Sequence, residues 1–348
     1  MIWIRADANK EIGTGHVMRC LSIARALKQR GEQVCFLLAD ENALPLLESK
    51  GQEYRVLHSD YTRMEAELPH LKEMLKQGKP DFLLVDSYFV TAEYFREIRE
   101  HVAVGYVDDK CVTGLPVDIL LNYNIFAKRT LYGPEKSNTR YLLGLQYIPL
   151  REEFVGVDYE IRERVSQVLV TTGGSDKFNL AGQLLQEALS NPLTVNLNYC
   201  VVSGAYNVYL EDLRRIEEER ENVKIYCNVR DMSRLMQASD IAVSAGGYTM
   251  YELSAVGVPV VCFSFVDNQE RIVEGFREKE LVCYAGNYLE QKAVMLTELV
   301  EAVGRLARDY TLRRDYSRKQ RNIIDGRGAE RLAEILTGLC GEDSENKI

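Results

Sequence analysis

The sequence lacks the motifs that define several classes of enzyme. It contains no HExxH zinc motif, no GxSxG nucleophile elbow and no P-loop lysine. Its eight cysteines form no CxxC pair and no Cys/His cluster, so we interpret them as reduced core residues. Three of the four histidines, at 58, 70 and 101, lie far apart in the chain. We therefore expect neither a metal nor a cofactor.

Long apolar runs and an excess of positive charge are also missing. No apolar run approaches the roughly 20 residues of a membrane span, and the start MIWIRAD does not resemble a secretory signal. We expect no membrane span and a cytoplasmic location. The formal net charge of -9 argues against a general nucleic-acid binder. The expected partner is a small molecule, and the sequence leaves the oligomeric state open.

The pattern of the chain predicts its fold class. Its 348 residues suffice for two domains, and a hydrophobic fraction of 46% can give each domain a core. Apolar runs such as MIWIRA and FLLVD alternate with helical patterns, which is typical of parallel strands joined by right-handed crossovers. A charged stretch at 149–165 interrupts this alternation. The sequence predicts an α/β protein with two Rossmann-like doubly wound lobes, 1–150 and 151–348, and an interlobe cleft. The amphipathic C-terminal helices are assigned to the second lobe.

The segment EIGTGHVMR follows the first predicted strand. Gly13 and Gly15 permit a tight turn into a helix, and the N–H groups at a helix start favour an anion or polar ligand. His16 lies on the first helical turn, where the positive helix end disfavours the imidazolium and leaves an imidazole that can accept a proton. A histidine that only caps the helix is the competing interpretation. Met18 weakens a dinucleotide fingerprint, because it occupies the position of the third glycine.

Two further segments place polar residues or glycines after strands. In FLLVDSYF, Asp86 and Tyr88 follow a buried strand, and the tyrosine can either contact a sugar or base or serve in packing. In VLVTTGGSD, the glycines allow close approach of a diphosphate and the next two residues can cap a helix, although an ordinary strand-to-helix turn explains the pattern as well. The nucleotide-binding candidates in this second segment are Gly173, Gly174, Ser175 and Asp176.

The most specific segment is SAGGYTMYELSAVGVPVVCFSFVDNQE. A strand ends at two glycines, and the helix start that follows can bind phosphate. Glu252 lies one turn into this helix, where it can accept two hydrogen bonds from vicinal ribose hydroxyls. Two ordinary strand-to-helix turns with a surface acidic residue are the alternative. The nucleotide-binding candidates here are Ala245, Gly246, Gly247, Tyr248, Thr249, Glu252, Asn268 and Gln269.

These segments together resemble a known family. The order GTGHVMR, DSY, VDDKCVTGLPVDILLN, LREEF, GGSD, AGGYTMYELSAVGVP and DNQ is similar to that of the UDP-2,4-diacetamido-2,4,6-trideoxy-sugar hydrolases of pseudaminic acid biosynthesis and related spore-coat polysaccharide proteins. The stretch IIDGRGAERL extends the similarity to nearly the whole chain. The resemblance implies a glycosyltransferase B fold and hydrolysis of a UDP-linked 2,4-diacetamido sugar to UDP and the free sugar.

The resemblance also implies roles for individual residues. His16 matches the family's catalytic histidine, which activates water for attack at the anomeric carbon. Thr14 and Tyr248 depart from the residues usual in the family, which leaves the identity of the sugar and the nucleotide open. The substrate contacts implied by the resemblance are the sugar-site residue Tyr88 and the interlobe residue Arg151. Further substrate-binding candidates in the first lobe are Gly13, Thr14, Gly15 and Asp86. The implied nucleotide contacts are Glu252 at the ribose and Gly246, Gly247 and Thr249 at the diphosphate.

Two other functions compete with hydrolysis. An inverting glycosyltransferase of the same fold would use the same UDP-sugar site, and its lipid-linked acceptor would call for an apolar and basic patch. The first helix carries Arg19, Arg25, Lys28 and Arg30, which fit such a patch or a solvated face equally well. A catalytically silent nucleotide-sugar sensor would keep the motifs of the second half and lose His16, which is present.

Overall fold

The computed structural model of the chain describes residues 1–133, 138–204, 207–227, 229 and 231–345, without the side chains of 267, 268 and 339–345. The chain forms two compact units. The first unit comprises Met1–Arg151 and Arg327–Ile348, and the second comprises Glu152–Gly326. The sequence pattern assigned the whole C-terminal region to the second domain. In the structure, the segment that begins at Arg327 belongs to the first unit instead.

The first unit is built on a parallel sheet with the strand order β3-β2-β1-β4-β5-β6-β7. Strands β1 and β4 are buried along their whole length because helices cover both faces of the sheet. The strands are β1 (Ile2–Ala6), β2 (Val34–Leu38), β3 (Glu53–Val56), β4 (Phe82–Asp86), β5 (Ala103–Val107), β6 (Ile119–Asn122) and β7 (Arg140–Leu143). The helices between them are α1 (Gly15–Gln29), α2 (Leu44–Ser49), α3 (Leu68–Gly78) and α4 (Ala92–Arg99).

The second unit repeats this plan with the strand order β10-β9-β8-β11-β12-β13, again with parallel pairing. Its strands are β8 (Gln167–Thr171), β9 (Asn198–Ser203), β10 (Val223–Cys227), β11 (Ile241–Ala245), β12 (Val260–Ser264) and β13 (Cys283–Asn287). Its helices are α5 (Leu180–Ser190), α6 (Leu210–Glu219), α7 (Met232–Gln237), α8 (Tyr248–Val256), α9 (Asp267–Glu278), α10 (Tyr288–Arg308) and α11 (Tyr310–Ile323). The predicted class of two doubly wound parallel sheets is confirmed.

Helix α12 (Gly328–Glu345) returns to the first unit and packs on α1. Gly328 lies so close to the chain at Ile148 that a Cβ atom would approach the Ile148 carbonyl oxygen to 2.1 Å. The Arg331 guanidinium donates to the Gln146 carbonyl oxygen at 3.1 Å. These backbone contacts place α12 in the first unit, and sequence periodicity cannot detect them because it reports only the apolar stripe of a helix.

Each sheet has one point at which the chain changes direction across the sheet. In the first unit this switch point lies between β1 and β4, and in the second it lies between β8 and β11. Ligands of open α/β sheets bind outside the carboxyl ends of the strands at such points. The loops after β1, β4, β8 and β11 are therefore the expected ligand-binding regions of the two units. They carry most of the predicted site residues. Among the described residues, no helix is long and apolar enough to cross a membrane.

Candidate active site

The loop between β1 and α1 is shaped before the helix begins. Asn9 accepts the N–H groups of Glu11 and Ile12 on its side-chain oxygen at 2.9 and 3.0 Å, and its carbonyl oxygen accepts the Gly13 N–H. Gly13 has a φ of +73°, a conformation that favours glycine. The exposed Thr14 then precedes the helix, which begins at Gly15. This turn brings His16 to the carboxyl end of β1.

His16 forms a short hydrogen bond with the last residue of β4. Its Nδ1 atom lies 2.6 Å from Oδ1 of Asp86, and the two side chains are 5% and 0% exposed. Nη2 of Arg19 also lies 3.1 Å from this nitrogen. Because an ionised carboxylate only accepts, we assign the Nδ1 proton to the bond with Asp86, and in the neutral ring Nε2 is then the basic nitrogen. The contact therefore fixes the imidazole in the tautomer that a general base requires. Asp86 holds His16, whereas the sequence placed it among the substrate contacts.

Arg19 binds the same carboxylate from the next turn of α1. Its Nε and Nη2 atoms donate to the two oxygens of Asp86, each at 2.5 Å, in a bidentate arrangement. Its Nη1 atom donates to Asp109 at 2.6 Å and also to the Tyr123 hydroxyl. Arg19 is buried, so it is not part of a solvated basic face of α1.

The charges around Asp86 keep it ionised. Burial alone would raise the pKa of this carboxyl, but the positive charge of Arg19, with a contribution from His16, holds the pKa far below its usual range. Asp109 and Asp86 in turn raise the pKa of the Arg19 guanidinium, against the effect of burial. Asp109, Arg19, Asp86 and His16 thus form one chain of alternating partners that ends at the imidazole.

Tyr88 covers the imidazole on one side. Its ring stands edge-to-face with that of His16, with 4.4 Å between the ring centroids. Its hydroxyl lies 3.3 Å from Asp109, and the Lys110 ammonium lies 4.4 Å from its ring centroid. Burial, followed by the charge of Asp109, raises the pKa of the Tyr88 hydroxyl. The side chain is still 37% exposed, so it can contact a ligand as well as His16.

A second buried ion network supports the loop after β1. Arg5 donates to both oxygens of Glu67 at 2.9 Å and to Asp7 at 2.5 Å. The Tyr94 hydroxyl donates to Glu67 at 2.7 Å, and Asp7 also accepts the Ala39 N–H at 2.7 Å. Since a buried arginine needs such partners to remain charged in the protein interior, the network fixes the ends of β1 and β2 on which the site is built.

A small and narrow pocket, with no room for a water molecule, lies at this point of the first unit. Its described lining consists of Asp7, Ile12, His16, Asp86, Ser87, Tyr88 and Phe89. These residues come from the end of β4, the first turn of α1 and the loops that follow β1 and β4. Within the described part of the chain, no group of three or more histidine, cysteine or acidic side chains is arranged to hold a metal ion.

In the second unit, the acidic residue of the loop after β8 binds backbone groups at the start of helix α5. The buried carboxylate of Asp176 accepts the N–H groups of Leu180 and Ala181 at 2.7 and 3.1 Å. Burial raises the pKa of this carboxyl, and these hydrogen bonds oppose the shift. Gly173 and Gly174 are exposed and Ser175 is half-buried. Asp176 thus acts as a helix cap, and the exposed residues of this loop are Gly173, Gly174 and Lys177.

The loop after β11 is open at the start of its helix. Ala245 is buried at the end of β11, and a Cβ atom on Gly246 would approach Cγ2 of Val273 to 2.5 Å, so the chain passes close to α9. Gly247 precedes α8. Among the described residues, the start of this helix has no side-chain cap, and a Cβ on Gly247 would meet nothing within 4 Å. Thr249 is half-buried in the first turn. This helix start is the stronger of the two candidates for a diphosphate.

The remaining predicted residues lie near these loops or at the unit boundary. Glu252 is only 7% exposed in α8, so it is not a surface acidic residue. Gln269 is half-buried in α9, and its side-chain oxygen accepts the Phe265 N–H at 3.0 Å. The side chain of Asn268 lies outside the described residues. Tyr248 is half-buried at the start of α8, and the half-buried Arg151 ends the first segment of unit one.

Sequence reasoning identified Asp86 but missed the charged residues around it and His16. Arg19 was weighed only as a surface arginine, and neither Asp109 nor Arg5 was considered as part of a site. A signal for two of them was present in the strings GTGHVMR and VDDK, which the family resemblance already used. Arg5 gives no such signal, because a charged residue in a strand normally predicts an exposed face.

The chain matches a known sequence pattern in its second half. Residues 168–324 match the Glycosyltransferase family 28 C-terminal domain. Among solved structures, MurG of Acinetobacter baumannii superimposes with a TM-score of 0.71 at 14% identity, over 97% of this chain and 99% of that one. At this identity the likeness shows the fold alone, and that fold is the predicted glycosyltransferase B type.

Sequence relatives give further matches. The uncharacterized protein MJ1062 of Methanocaldococcus jannaschii is 28% identical over 80% of this chain. The matched region covers only 58% of the length of MJ1062. The spore coat polysaccharide biosynthesis protein SpsG of Bacillus subtilis is 27% identical over 98% of this chain and 99% of its own length. The UDP-2,4-diacetamido-2,4,6-trideoxy-beta-L-altropyranose hydrolase of Campylobacter jejuni is 25% identical over 77% of this chain and 93% of its own. The fold and these matches together indicate that the chain is a nucleotide-sugar-related enzyme of the glycosyltransferase B superfamily.

Proposed function

We propose that the chain hydrolyses a UDP-linked 2,4-diacetamido-2,4,6-trideoxyhexose to UDP and the free sugar, with water activated by His16. The observation that carries this proposal is the hydrogen bond from Nδ1 of His16 to Asp86, which leaves Nε2 as a proton acceptor beside a pocket. The similarity to the Campylobacter jejuni hydrolase supports the same reaction. The product sugar would serve nonulosonic acid or surface polysaccharide synthesis.

The chemistry of the pocket favours attack at the anomeric carbon. Among its described lining residues, none is a lysine or an arginine that could bind phosphoryl oxygens. The nearby guanidiniums of Arg5 and Arg19 are engaged with carboxylates. We therefore assign the sugar to the residues around this pocket. The start of α8 in the second unit is a separate candidate for a diphosphate. Direct displacement by water breaks the C–O bond, inverts the anomeric centre and leaves the bridging oxygen with UDP.

The test is incubation of the purified chain with UDP-2,4-diacetamido-2,4,6-trideoxyhexose in ¹⁸O-labelled water, without an acceptor. The label should appear at the C1 hydroxyl of the sugar, measured by mass spectrometry at once because ring opening exchanges this oxygen. Label in UDP would show attack at phosphorus. Because the proposed route uses no metal, activity should survive excess EDTA, and a loss of activity that magnesium restores would contradict this part of the proposal.

The same incubation separates hydrolysis from glycosyl transfer. A transferase releases UDP at a rate that depends on an acceptor, whereas a hydrolase releases it at the full rate in water alone. The matches to a glycosyltransferase domain and to MurG make this comparison necessary. Release that requires an added acceptor would replace the hydrolase assignment by the transferase alternative and leave the nucleotide-sugar class intact.

Nucleotide binding gives a second expected result. Glu252 lies one turn into α8, beside the uncapped helix start, and we assign it to the ribose hydroxyls. Loss of a charge-assisted hydrogen bond costs roughly 1.5–3 kcal/mol, so Glu252→Ala should weaken UDP binding by about 10- to 100-fold. Calorimetric titration with UDP measures this directly.

The matched control is Glu252→Gln, which keeps the size of the side chain and one accepting oxygen. It should bind UDP with an affinity between those of the parent and of Glu252→Ala. Because Glu252 is buried, thermal melting of each variant should accompany the titration. Parental affinity in a folded Glu252→Ala variant would assign the ribose to another part of the protein.

A further inference from the structure

A second and larger cavity lies within the second unit. It is an open groove of about 900 Å³ between the segment 159–161 and helix α11. Sites for small molecules typically measure about 300–1,000 Å³, so the groove is large enough for such a ligand. None of its described lining residues belongs to the loops after β8 and β11. The groove is therefore distinct from the candidate nucleotide contacts of this unit.

Helix α11 presents three arginines to this groove. Arg314, Arg318 and Arg321 are spaced by four and three residues, which places them along one face of the helix. All three are exposed. Guanidiniums bind the oxygens of carboxylates and phosphates through pairs of N–H groups. In a chain with a formal net charge of -9, this row of arginines is a local site for an anion.

The acidic residues of the groove leave part of this charge unpaired. Asp315 accepts from Arg318 at 2.8 Å and from Lys319 at 2.9 Å, so two cations share one carboxylate. Glu160, exposed on the facing wall, is the other acidic residue of the described lining. Arg314 forms no ion pair with any described residue. Its guanidinium is therefore available to a ligand.

Two guanidiniums at the same groove have backbone acceptors in place of carboxylates. Arg321 donates to the Tyr159 carbonyl oxygen at 3.0 Å. The buried Arg313 donates to four backbone carbonyl oxygens, and its Nε has no partner among the described residues. Its guanidinium carbon lies 5.7 Å from the ring centroid of Tyr310, which lines the groove. Because carbonyl dipoles do not cancel a full positive charge, both arginines add to the positive potential of the groove.

We propose that this groove is a second ligand site, which binds the phosphoryl groups of a small soluble anion. Arg314 and Arg318 lie one helical turn apart, so two phosphoryl groups of one ligand can each bind one guanidinium. Ile161 and the ring of Tyr310 provide apolar surface beside them. A concave cavity of this size encloses a soluble ligand better than it fits a flat membrane surface.

The test is calorimetric titration of the parent chain and of the double variant Arg314→Ala/Arg318→Ala with inorganic pyrophosphate. Loss of one charge-assisted hydrogen bond weakens binding by about 10- to 100-fold, so loss of both arginines should weaken binding at the groove by at least about 100-fold. The start of α8 is unchanged in this variant, and any pyrophosphate bound there should remain. Titration curves that do not differ between parent and variant, with or without binding, would overturn the proposal.

Two control variants separate the groove from general effects of charge. Arg215→Ala/Arg220→Ala removes two exposed arginines at the end of α6 and should bind pyrophosphate like the parent. Arg314→Lys/Arg318→Lys keeps both charges without the paired donors and should have an intermediate affinity. An equal loss in the α6 variant would show that net charge alone is responsible, which would overturn the proposal. Thermal melting should show all variants folded, because alanine is favourable at exposed helix positions.

A sedimentation experiment distinguishes a soluble ligand from a lipid headgroup. With vesicles of phosphatidylcholine and phosphatidylglycerol, the parent chain should stay in the supernatant while it binds pyrophosphate in solution. Sedimentation that Arg314→Ala/Arg318→Ala abolishes, without pyrophosphate binding by the parent, would assign the groove to headgroups and overturn the soluble ligand. Neither experiment contains a nucleotide sugar, so the outcome does not depend on the proposed hydrolysis.

Discussion

His16→Ala should lower kcat by about 100- to 10,000-fold, the usual contribution of a general base. This range corresponds to about 2.7–5.4 kcal/mol of transition-state stabilisation. The physical reason is that Nε2 is the basic nitrogen of an imidazole whose other nitrogen is fixed by Asp86. UDP release measured at saturating nucleotide sugar gives kcat directly. Affinity for UDP should stay within about threefold of the parent, because the nucleotide contacts are assigned to the loops of the second unit.

The matched control is Arg25→Ala, on the exposed face of the same helix α1. It tests whether any change to α1 disturbs the enzyme, and it should have nearly the parental kcat. A His16→Ala variant within threefold of the parental rate would remove His16 from the mechanism. A loss of UDP affinity as large as the loss of kcat would indicate a structural role instead of proton transfer.

The sequence predicted the central strands of both sheets well. Strands such as FLLVD at Phe82–Asp86 and QVLVT at Gln167–Thr171 are continuous apolar runs, because both of their faces are covered by helices. Three edge strands, β3, β7 and β13, were missed. β3 (EYRV) alternates exposed and half-buried residues at the edge of its sheet, and β13 (CYAGN) is half-buried throughout. Short strands without a continuous apolar run leave too little pattern to recognise.

The location of the candidate site followed from local pattern, but its internal bonding did not. Glycines after a strand marked the loops before α1 and α8, since the backbone there must turn into a helix start. Whether a charged side chain such as Arg19 points to solvent or into the protein depends on partners distant in sequence. Asp86 and Asp109 lie 67 and 90 residues from Arg19, so their pairing is set by strand order. The order β1-β4-β5 brings these three residues together.

Asp86→Asn should lower kcat by roughly 100- to 10,000-fold, although the residue need not touch the substrate. An amide at this position loses the negative charge that stabilises the imidazolium, and it can present a donor to Nδ1 and so favour the wrong tautomer. Replacing the carboxylate of a Ser-His-Asp triad by an amide costs about 10,000-fold for the same reason. The depressed pKa of Asp86 means that the carboxylate is ionised at neutral pH, so the charge being removed is a full one.

The variant also breaks a buried ion pair, so its stability must be measured alongside its activity. Removal of one partner from such a pair costs about 3–5 kcal/mol, although Arg19 keeps Asp109 as a second partner. Folding lowers the pKa of Asp86, so the ionised carboxylate stabilises the folded state at neutral pH, and this contribution is lost as the pH falls through the folded-state pKa. Thermal melting of parent and variant at neutral pH sets the temperature below which both are folded, and kcat is compared only there.

A double-mutant cycle then decides how Asp86 acts. If Asp86 works only through His16, the double variant His16→Ala/Asp86→Asn should have a kcat within about threefold of His16→Ala alone, since no imidazole remains to be oriented. If the two residues contribute independently, the losses should multiply, which would give the carboxylate a direct role in the reaction. A folded Asp86→Asn variant with nearly parental kcat would contradict both roles of Asp86, the one through His16 and the direct one. The Asp86–His16 hydrogen bond would then have no part in catalysis.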